Sequence, residues 1–318
     1  MITGNINQTM IWRIFKIVRI PNLFIIAVIE FILHQKFLVS LFTNSGINPE
    51  MNDNQFYLLV LYSILLTLSG YIINDIYDVN TDKVNKPKQN WVLLIGRKPA
   101  ITLYTLLSVF SILISFYLAV QLDKYQYIWI TPIVSFLLWA YSRYFKSGPL
   151  IGNIWVSIFC SLVIVLIWLS EERSLHVLSL NSNMNYYKLA QWVFVIYTCF
   201  AFIITLCREL AKDAEDMEGD KSVSAKTFPI VFGIKSTKYL LIGLHIFLSL
   251  VLLIVLICLM STFTSFQIIY CIALIFMPLT ISIYLITKAI NPKQFGIVST
   301  LIKCIMISGT LFLLSFSL

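Results

Sequence analysis

Two short rows of aspartate carry most of the chemistry this sequence offers. One is Asp75, Asp78 and Asp82 in NDIYDVNTD; the other is Asp213, Asp216 and Asp220 in KDAEDMEGD. Both place aspartates at relative positions 0, 3 and 7. On a helix those positions fall within about 60° of one another, so each row presents its carboxylates on one face. Carboxylates that close repel, and so apolar a chain is expected to keep two such rows only where a cation bridges them. The expected cation is Mg2+, which accepts one or two carboxylates and shares its other positions with phosphate oxygens and water. Tyr71 and Asn74 stand within a turn of the first row. Glu209 lies four residues before Asp213 on the same face, flanked by Arg208 and Lys212, while Glu215 and Glu218 point away and are expected in solvent. Carboxylates, Mg2+ and adjacent cations form a clamp for a departing diphosphate, because they neutralise the charge that builds on it. A single row could be an ordinary solvated loop; two of identical spacing, each closing an apolar span, argue against that.

The elements that must position these rows are membrane helices. Of 318 residues, 59% are hydrophobic and 12% charged, and the mean hydropathy is +0.86. Continuous apolar runs near the length that spans a bilayer recur to the end of the chain, whereas a lipid-facing barrel would alternate every second residue. We expect an all-α, multi-pass protein: a single domain over 1–318, a bundle of about nine transmembrane helices around a central cavity. The spans are expected at about 20–41, 56–74, 99–121, 125–143, 150–169, 190–207, 237–260, 264–287 and 296–317. With the N-terminus in the cytoplasm, the inner segments hold the great majority of the lysines and arginines. The outer loops hold only Lys124, Arg173 and Lys188. The positive-inside rule then places both rows in the cytoplasm, with a cell inner membrane expected, and the C-terminus on the opposite side. The polar first ten residues do not read as a cleavable signal.

The remaining features are read structurally. Six cysteines (Cys160, Cys199, Cys207, Cys258, Cys271, Cys304) lie in apolar stretches without a C-x-x-C pair and are expected as buried hydrophobes. The net charge of +8 fits loops facing anionic lipid, not nucleic acid. IWRIFKIVRI can lie along the membrane surface before the chain turns in at Pro21. Glu30 and His34, four apart, can satisfy each other, and Lys303 is expected to snorkel or pair. The long segments from Asp75 to Pro99 and from Arg208 to Lys238 contain Trp91, Phe228 and Ile230, so each is expected as an ordered cap. The loop 170–189 shows no comparable constellation. His176 and His245 are not placed to act as a base.

N-D-x-x-D-x-x-x-D after the second span, a second aspartate row after the sixth and nine spans resemble the UbiA superfamily of intramembrane prenyltransferases, over nearly the whole chain. RELAKDAEDMEGDKSVSAKTFPIVFG is similar to the archaeal-type branch, the digeranylgeranylglyceryl phosphate synthases and their bacterial relatives. Arg19, Pro21, Asn22, Tyr141, Ser142, Lys146, Gly152 and Asn153 also match. The resemblance implies that Asp75, Asp78, Asp82, Asp213, Asp216 and Asp220 bind Mg2+. Among these, Asp75, Asp78, Asp213 and Asp216 would be catalytic, and Asp82 and Asp220 would also contact substrate. It implies that Asn74, Arg208, Lys212 and Lys146 contact diphosphate or an acceptor phosphate, and that Asn22 and Asn153 belong to the substrate site. Gly219 and Gly152 would permit close approach, and Lys86 would stand where many relatives carry arginine. The implied reaction joins a prenyl diphosphate to a lipophilic acceptor, a geranylgeranylglyceryl phosphate-like hydroxyl. Membrane lipids are the surroundings and nucleic acid is no partner. An aromatic quinone precursor or haem is the other acceptor class within the superfamily. A divalent-cation transporter would use the same residue types, but near the midplane at broken helices. A silent scaffold would tolerate Asp75→Ala and Asp216→Ala.

Overall fold

A computed structural model describes residues 17–85, 90–180, 184–261 and 263–316. Arg13, Lys16, Lys86 and most of the IWRIFKIVRI segment expected along the membrane surface are outside the described residues. Thirteen helices follow in order: α1 Ile20–Asn44, α2 Asp53–Tyr77, α3 Val79–Asn85, α4 Trp91–Ile95, α5 Arg97–Gln121, α6 Ile130–Ala140, α7 Ile151–Ser170, α8 Glu172–Leu180, α9 Met184–Glu215, α10 Met217–Ser222, α11 Phe228–Leu259, α12 Ser265–Lys288 and α13 Pro292–Phe312. No strand occurs among the described residues.

Eight of these are long and apolar enough to cross a membrane. The expected ninth, near 125–143, is α6: an eleven-residue α-helix extended by a five-residue π-turn, Tyr141–Phe145. Tyr125–Tyr127 form a 3-10 turn before it, so this stretch is helical in pieces and not one regular helix of the length of the other eight.

The helices group into two compact units, each assembled from separated stretches of chain. Of the described residues, one takes those up to Ala27, those within Met51–Lys146 and Glu218–Ser224; the other takes Val28–Glu50 and those within Ser147–Met217 and from Ala225 onward. In the first unit α2 packs along α5. Ile72, Ile73, Ile76 and Ala100 form its core at the end of α2, sealed by Tyr77, Trp91 and Trp139. Gly96, at φ 88° and ψ 163°, turns the chain between α4 and α5, a backbone region open only to glycine. This turn lets α4 fold back beside the end of α2.

In the second unit α9 packs against α7, α11 and α13. Cys207, Leu210, Ala211, Leu279, Val298 and Ile302 are among its most buried side chains. The unit also encloses an apolar cavity of about 100 Å³ beside Tyr197, Phe200, Leu256 and Phe312. Phe200 precedes Asp213 by roughly 20 Å along α9, so this cavity is remote from the acids. Cys207 and Cys271 are buried as expected, but Cys160, Cys199, Cys258 and Cys304 lie exposed on helix surfaces, and all six are free thiols. Exposure of a small apolar side chain on a spanning helix carries little penalty where hydrocarbon is the solvent, so interior burial was not required of them.

Candidate active site

Each aspartate row is built the same way, and not as the single helix its spacing suggests. A long apolar helix ends one residue before the middle aspartate, and a short helix resumes one residue after it. In the first row Asp75 lies in the last turn of α2, Asp78 is the break and Asp82 lies on α3. In the second, Asp213 lies near the end of α9, Asp216 is the break and Asp220 lies on α10. Asp78 has φ −90° and ψ 6°, the sparsely used bridge region common among active-site residues. The helical register survives the break, since the Asp78 N–H reaches the Asn74 carbonyl at 2.9 Å and the Asp216 N–H reaches Lys212 at 2.8 Å.

In the first unit every member of the first row is held by side chains from elsewhere in that unit. Asp75 is fully buried; Arg19 Nη2 donates to its Oδ1 at 2.9 Å and the Trp91 N–H to its Oδ2 at 3.1 Å. Asp78 Oδ2 accepts from Asn74 Nδ2 at 2.8 Å and forms an ion pair with Lys146, which follows the π-turn of α6. Burial acts to lower the pKa of Lys146, but Asp78, Tyr141 and Asp82 outweigh it and hold the ammonium above its ordinary range. Asp82 Oδ2 accepts from Asn90 Nδ2 at 2.7 Å. Asn22 donates to the Tyr71 hydroxyl at 3.1 Å, and the Arg19 guanidinium lies 4.4 Å over the Tyr71 ring.

Asn90 was not singled out from sequence, yet its one amide makes four bonds. Its Oδ1 accepts the N–H groups of Val92 and Leu93 as the N-cap of α4, and its Nδ2 donates to Asp82 and to the Asp75 carbonyl. That carbonyl is in the last turn of α2, where helix acceptors lose their i+4 partner. The only sequence signal was an asparagine preceding an apolar stretch, the ordinary mark of an N-cap. Asn85 also escaped notice. Its Oδ1 accepts the Gly219 N–H at 3.0 Å, and a Cβ on Gly219 would lie 2.3 Å from the Asn85 amide. This contact belongs to the first unit and seats the Asp220 segment beside α3. The expected need for glycine at 219 is met by a side chain, not by backbone.

In the second unit Asn153, in the first turn of α7, donates to Asp213 Oδ2 at 2.8 Å. Arg208 is ion-paired with its neighbour Glu209. Glu215 is half-buried, and a Cβ on Gly296 would lie 2.6 Å from its Oε1. The expectation that it is solvated is therefore corrected: α9 packs along α13, and this side chain meets Gly296 there. Glu218 is exposed as expected.

The stretch 170–189 also contains more than the sequence suggested. His34, inside a π-turn of α1 (Ile32–Leu38), meets Glu171 with Nε2 to Oε1 at 2.9 Å, and both side chains are almost wholly buried. The Glu50 N–H donates to Glu171 Oε2 at 2.7 Å. Glu171 ends α7, roughly 27 Å along that helix from Asn153, so this cluster joins chain segments and does not adjoin Asp213.

The donors of the first row are all oxygens, which suits a hard cation such as Mg2+. No three acidic, histidine or cysteine side chains converge on one point among the described residues; Asp78 faces Lys146, and Asp82 faces Asn90. Mg2+ fits this arrangement, because it takes few protein carboxylates and completes its octahedron with phosphate and water. The profile of the UbiA prenyltransferase family matches residues 37–295. The chain belongs to the UbiA prenyltransferase family. It is thus an integral membrane protein. It is 31% identical over 193 residues to the digeranylgeranylglyceryl phosphate synthase of Methanobrevibacter smithii, covering 59% of this chain and 62% of that protein. A solved structure concerned with digeranylgeranylglyceryl phosphate synthase in membranes aligns over 96% of this chain and 99% of its own, with a TM-score of 0.61 at 20% identity. A UbiA homologue from Archaeoglobus fulgidus, bound to GPP and Mg2+, aligns over 93% and 98%, with a TM-score of 0.51 at 17% identity. At those identities the two structures establish the UbiA fold for this chain.

Proposed function

We propose that this chain is a Mg2+-dependent prenyltransferase, a single domain over 1–318. It transfers a prenyl group from a prenyl diphosphate to the hydroxyl of a lipophilic acceptor of the geranylgeranylglyceryl phosphate type. The observation that carries the reading is the duplicated helix break. Asp78 and Asp216 each stand at the end of a long apolar helix, with a third aspartate on the short helix beyond. Asp78 and Asp82 of the first row would hold Mg2+, and the second row, Asp213, Asp216 and Asp220, offers a like set of carboxylates. When bound, Mg2+ supplies charge to stabilise the departing diphosphate.

The chain's own residues supply the rest. Lys146, kept cationic by Asp78, supplies a positive charge for the diphosphate oxygens once the ion takes up the aspartates. Asn74 and Asn90 fix the rotamers of Asp78 and Asp82, and Asn153 does the same for Asp213. Lys212 adds positive charge beside the second row, whereas Arg208 is engaged by Glu209 and orients within that pair. Chemically, the allylic C–O bond to diphosphate breaks, the acceptor hydroxyl oxygen forms the new bond to that carbon, and the hydroxyl proton passes to the released diphosphate. The activity for which the relatives are named and the Mg2+ and GPP bound by the Archaeoglobus homologue support this reading. The lysine and arginine distribution supports placing the N-terminus and both rows in the cytoplasm, in a cell inner membrane, with the C-terminus on the opposite side.

The test is a product assay by mass spectrometry. Purified protein with Mg2+ is given geranylgeranyl diphosphate and either geranylgeranylglyceryl phosphate or aromatic acids as acceptor. Ether product with the glycerol phosphate is expected. Product with the aromatic acceptor alone overturns the acceptor, and Mg2+ flux in liposomes without diphosphate release overturns the enzyme.

A further inference from the structure

The resemblance puts all three aspartates of the first row on the metal, but the geometry divides them. Asp75 is fully buried and both of its carboxylate oxygens are occupied, one by Arg19 and the other by the Trp91 N–H. Asp78, though paired with Lys146, and Asp82, though held by Asn90, each keep some exposed surface. An ion reaching Asp75 would have to break its pair with the guanidinium and enter a carboxylate site with no exposed surface, a severe penalty. Arg19 is itself fixed from several sides. Its backbone sits at φ 56°, the left-handed region that side chains rarely adopt. Its guanidinium rests on the Tyr71 ring, and the Tyr71 hydroxyl is in turn fixed by Asn22. Backbone strain of this kind persists where the surroundings over-determine it, and such strain gathers at functional sites. Asp75 is the sole hydrogen-bond partner of that guanidinium among the described residues, and the side chain is 29% exposed. Most of the five N–H donors are therefore left for a ligand, in the planar fork that matches a phosphate.

We propose that Asp75 is a positioning residue and not a metal ligand: it aims the Arg19 guanidinium at a substrate phosphate group. This rests on the reading of the first row as a Mg2+ and diphosphate site. The phosphate is that of the prenyl diphosphate or that of the acceptor, and the two are separable by kinetics.

The experiment uses the full chain in nanodiscs with Mn2+ as the probe ion, its affinity read by electron paramagnetic resonance. Asp75→Asn should hold Mn2+ within threefold of the parent, while Asp78→Asn should weaken it at least tenfold. Arg19→Gln and Asp75→Asn should each raise KM at least tenfold for one substrate, geranylgeranyl diphosphate or geranylgeranylglyceryl phosphate, and so identify the phosphate. The double variant should be no worse than Arg19→Gln, since Asp75 acts through Arg19. Arg19→Lys, which keeps the charge and can keep the ion pair but loses the fork, should raise the same KM with Mn2+ affinity intact; it also stands in should Asp75→Asn not fold. Equal loss of Mn2+ affinity in Asp75→Asn and Asp78→Asn overturns the proposal while sparing the metal site. So do multiplicative effects in the double variant, or an unchanged KM for both substrates. If Asp78→Asn also leaves Mn2+ affinity intact, the metal-site reading falls and takes the proposal with it.

Discussion

Replacing Asn90 tests how the first row is held together, because this one amide ties three elements. Asn90→Ala removes the donor to Asp82 Oδ2, the donor to the Asp75 carbonyl and the N-cap of α4. A hydrogen bond to a charged group contributes about 1.5–3 kcal/mol, and an N-cap about 1 kcal/mol. The cap affects the stability of α4; the bond to Asp82 decides where a metal-binding carboxylate points. Losing the latter corresponds to roughly 10–100-fold weaker divalent affinity, the range typical of partners that orient metal ligands. Asn90→Ser separates the two effects, since serine is also a strong N-cap but cannot reach with two donors. The assay is Mn2+ binding to protein in nanodiscs, alongside thermal unfolding in detergent. Both variants should lose Mn2+ affinity to a similar degree, while Asn90→Ser should unfold at a higher temperature than Asn90→Ala. Mn2+ affinity in Asn90→Ser within threefold of the parent would refute the reasoning, because the effect would then be capping alone.

Gly219→Ala and Asn85→Ala remove the same bond, so each should lower kcat/KM about fivefold, from about 1 kcal/mol, and the double variant should be no worse; a product of the two effects would show independent roles. Lys146→Met should tighten Mn2+ several-fold in the absence of diphosphate, because the ammonium competes for Asp78, yet raise KM for the prenyl diphosphate; weaker Mn2+ binding would contradict that ion pair. Asn153→Ala removes a donor to Asp213 and should lower kcat/KM about tenfold by the charged hydrogen-bond scale, with unfolding temperature nearly unchanged; unaltered kinetics would remove Asn153 from the site. His34→Ala breaks the buried contact with Glu171 and should lower stability by about 3 kcal/mol without altering Mn2+ affinity, and a loss of affinity would tie that cluster to the metal.

The sequence by itself determined the class of this protein and the acids that matter. Hydropathy at helix length needs no tertiary information to declare a membrane helix, because the bilayer imposes that length on each segment separately. The matched 0, 3, 7 spacing of the aspartates was legible for a similar reason: it is a local pattern. What local pattern could not decide was direction and partnership. The middle aspartates interrupt their helices. Glu215 turns to Gly296, and His34 meets Glu171, 137 residues away. Asn90 gathers Asp75, Asp82 and α4, and Asn85 accepts from Gly219, 134 residues further on. Which aspartate is sealed against Arg19 and which two keep some exposure depends on side chains converging from distant segments. Spacing along one helix fixes a face, but only packing fixes what that face meets.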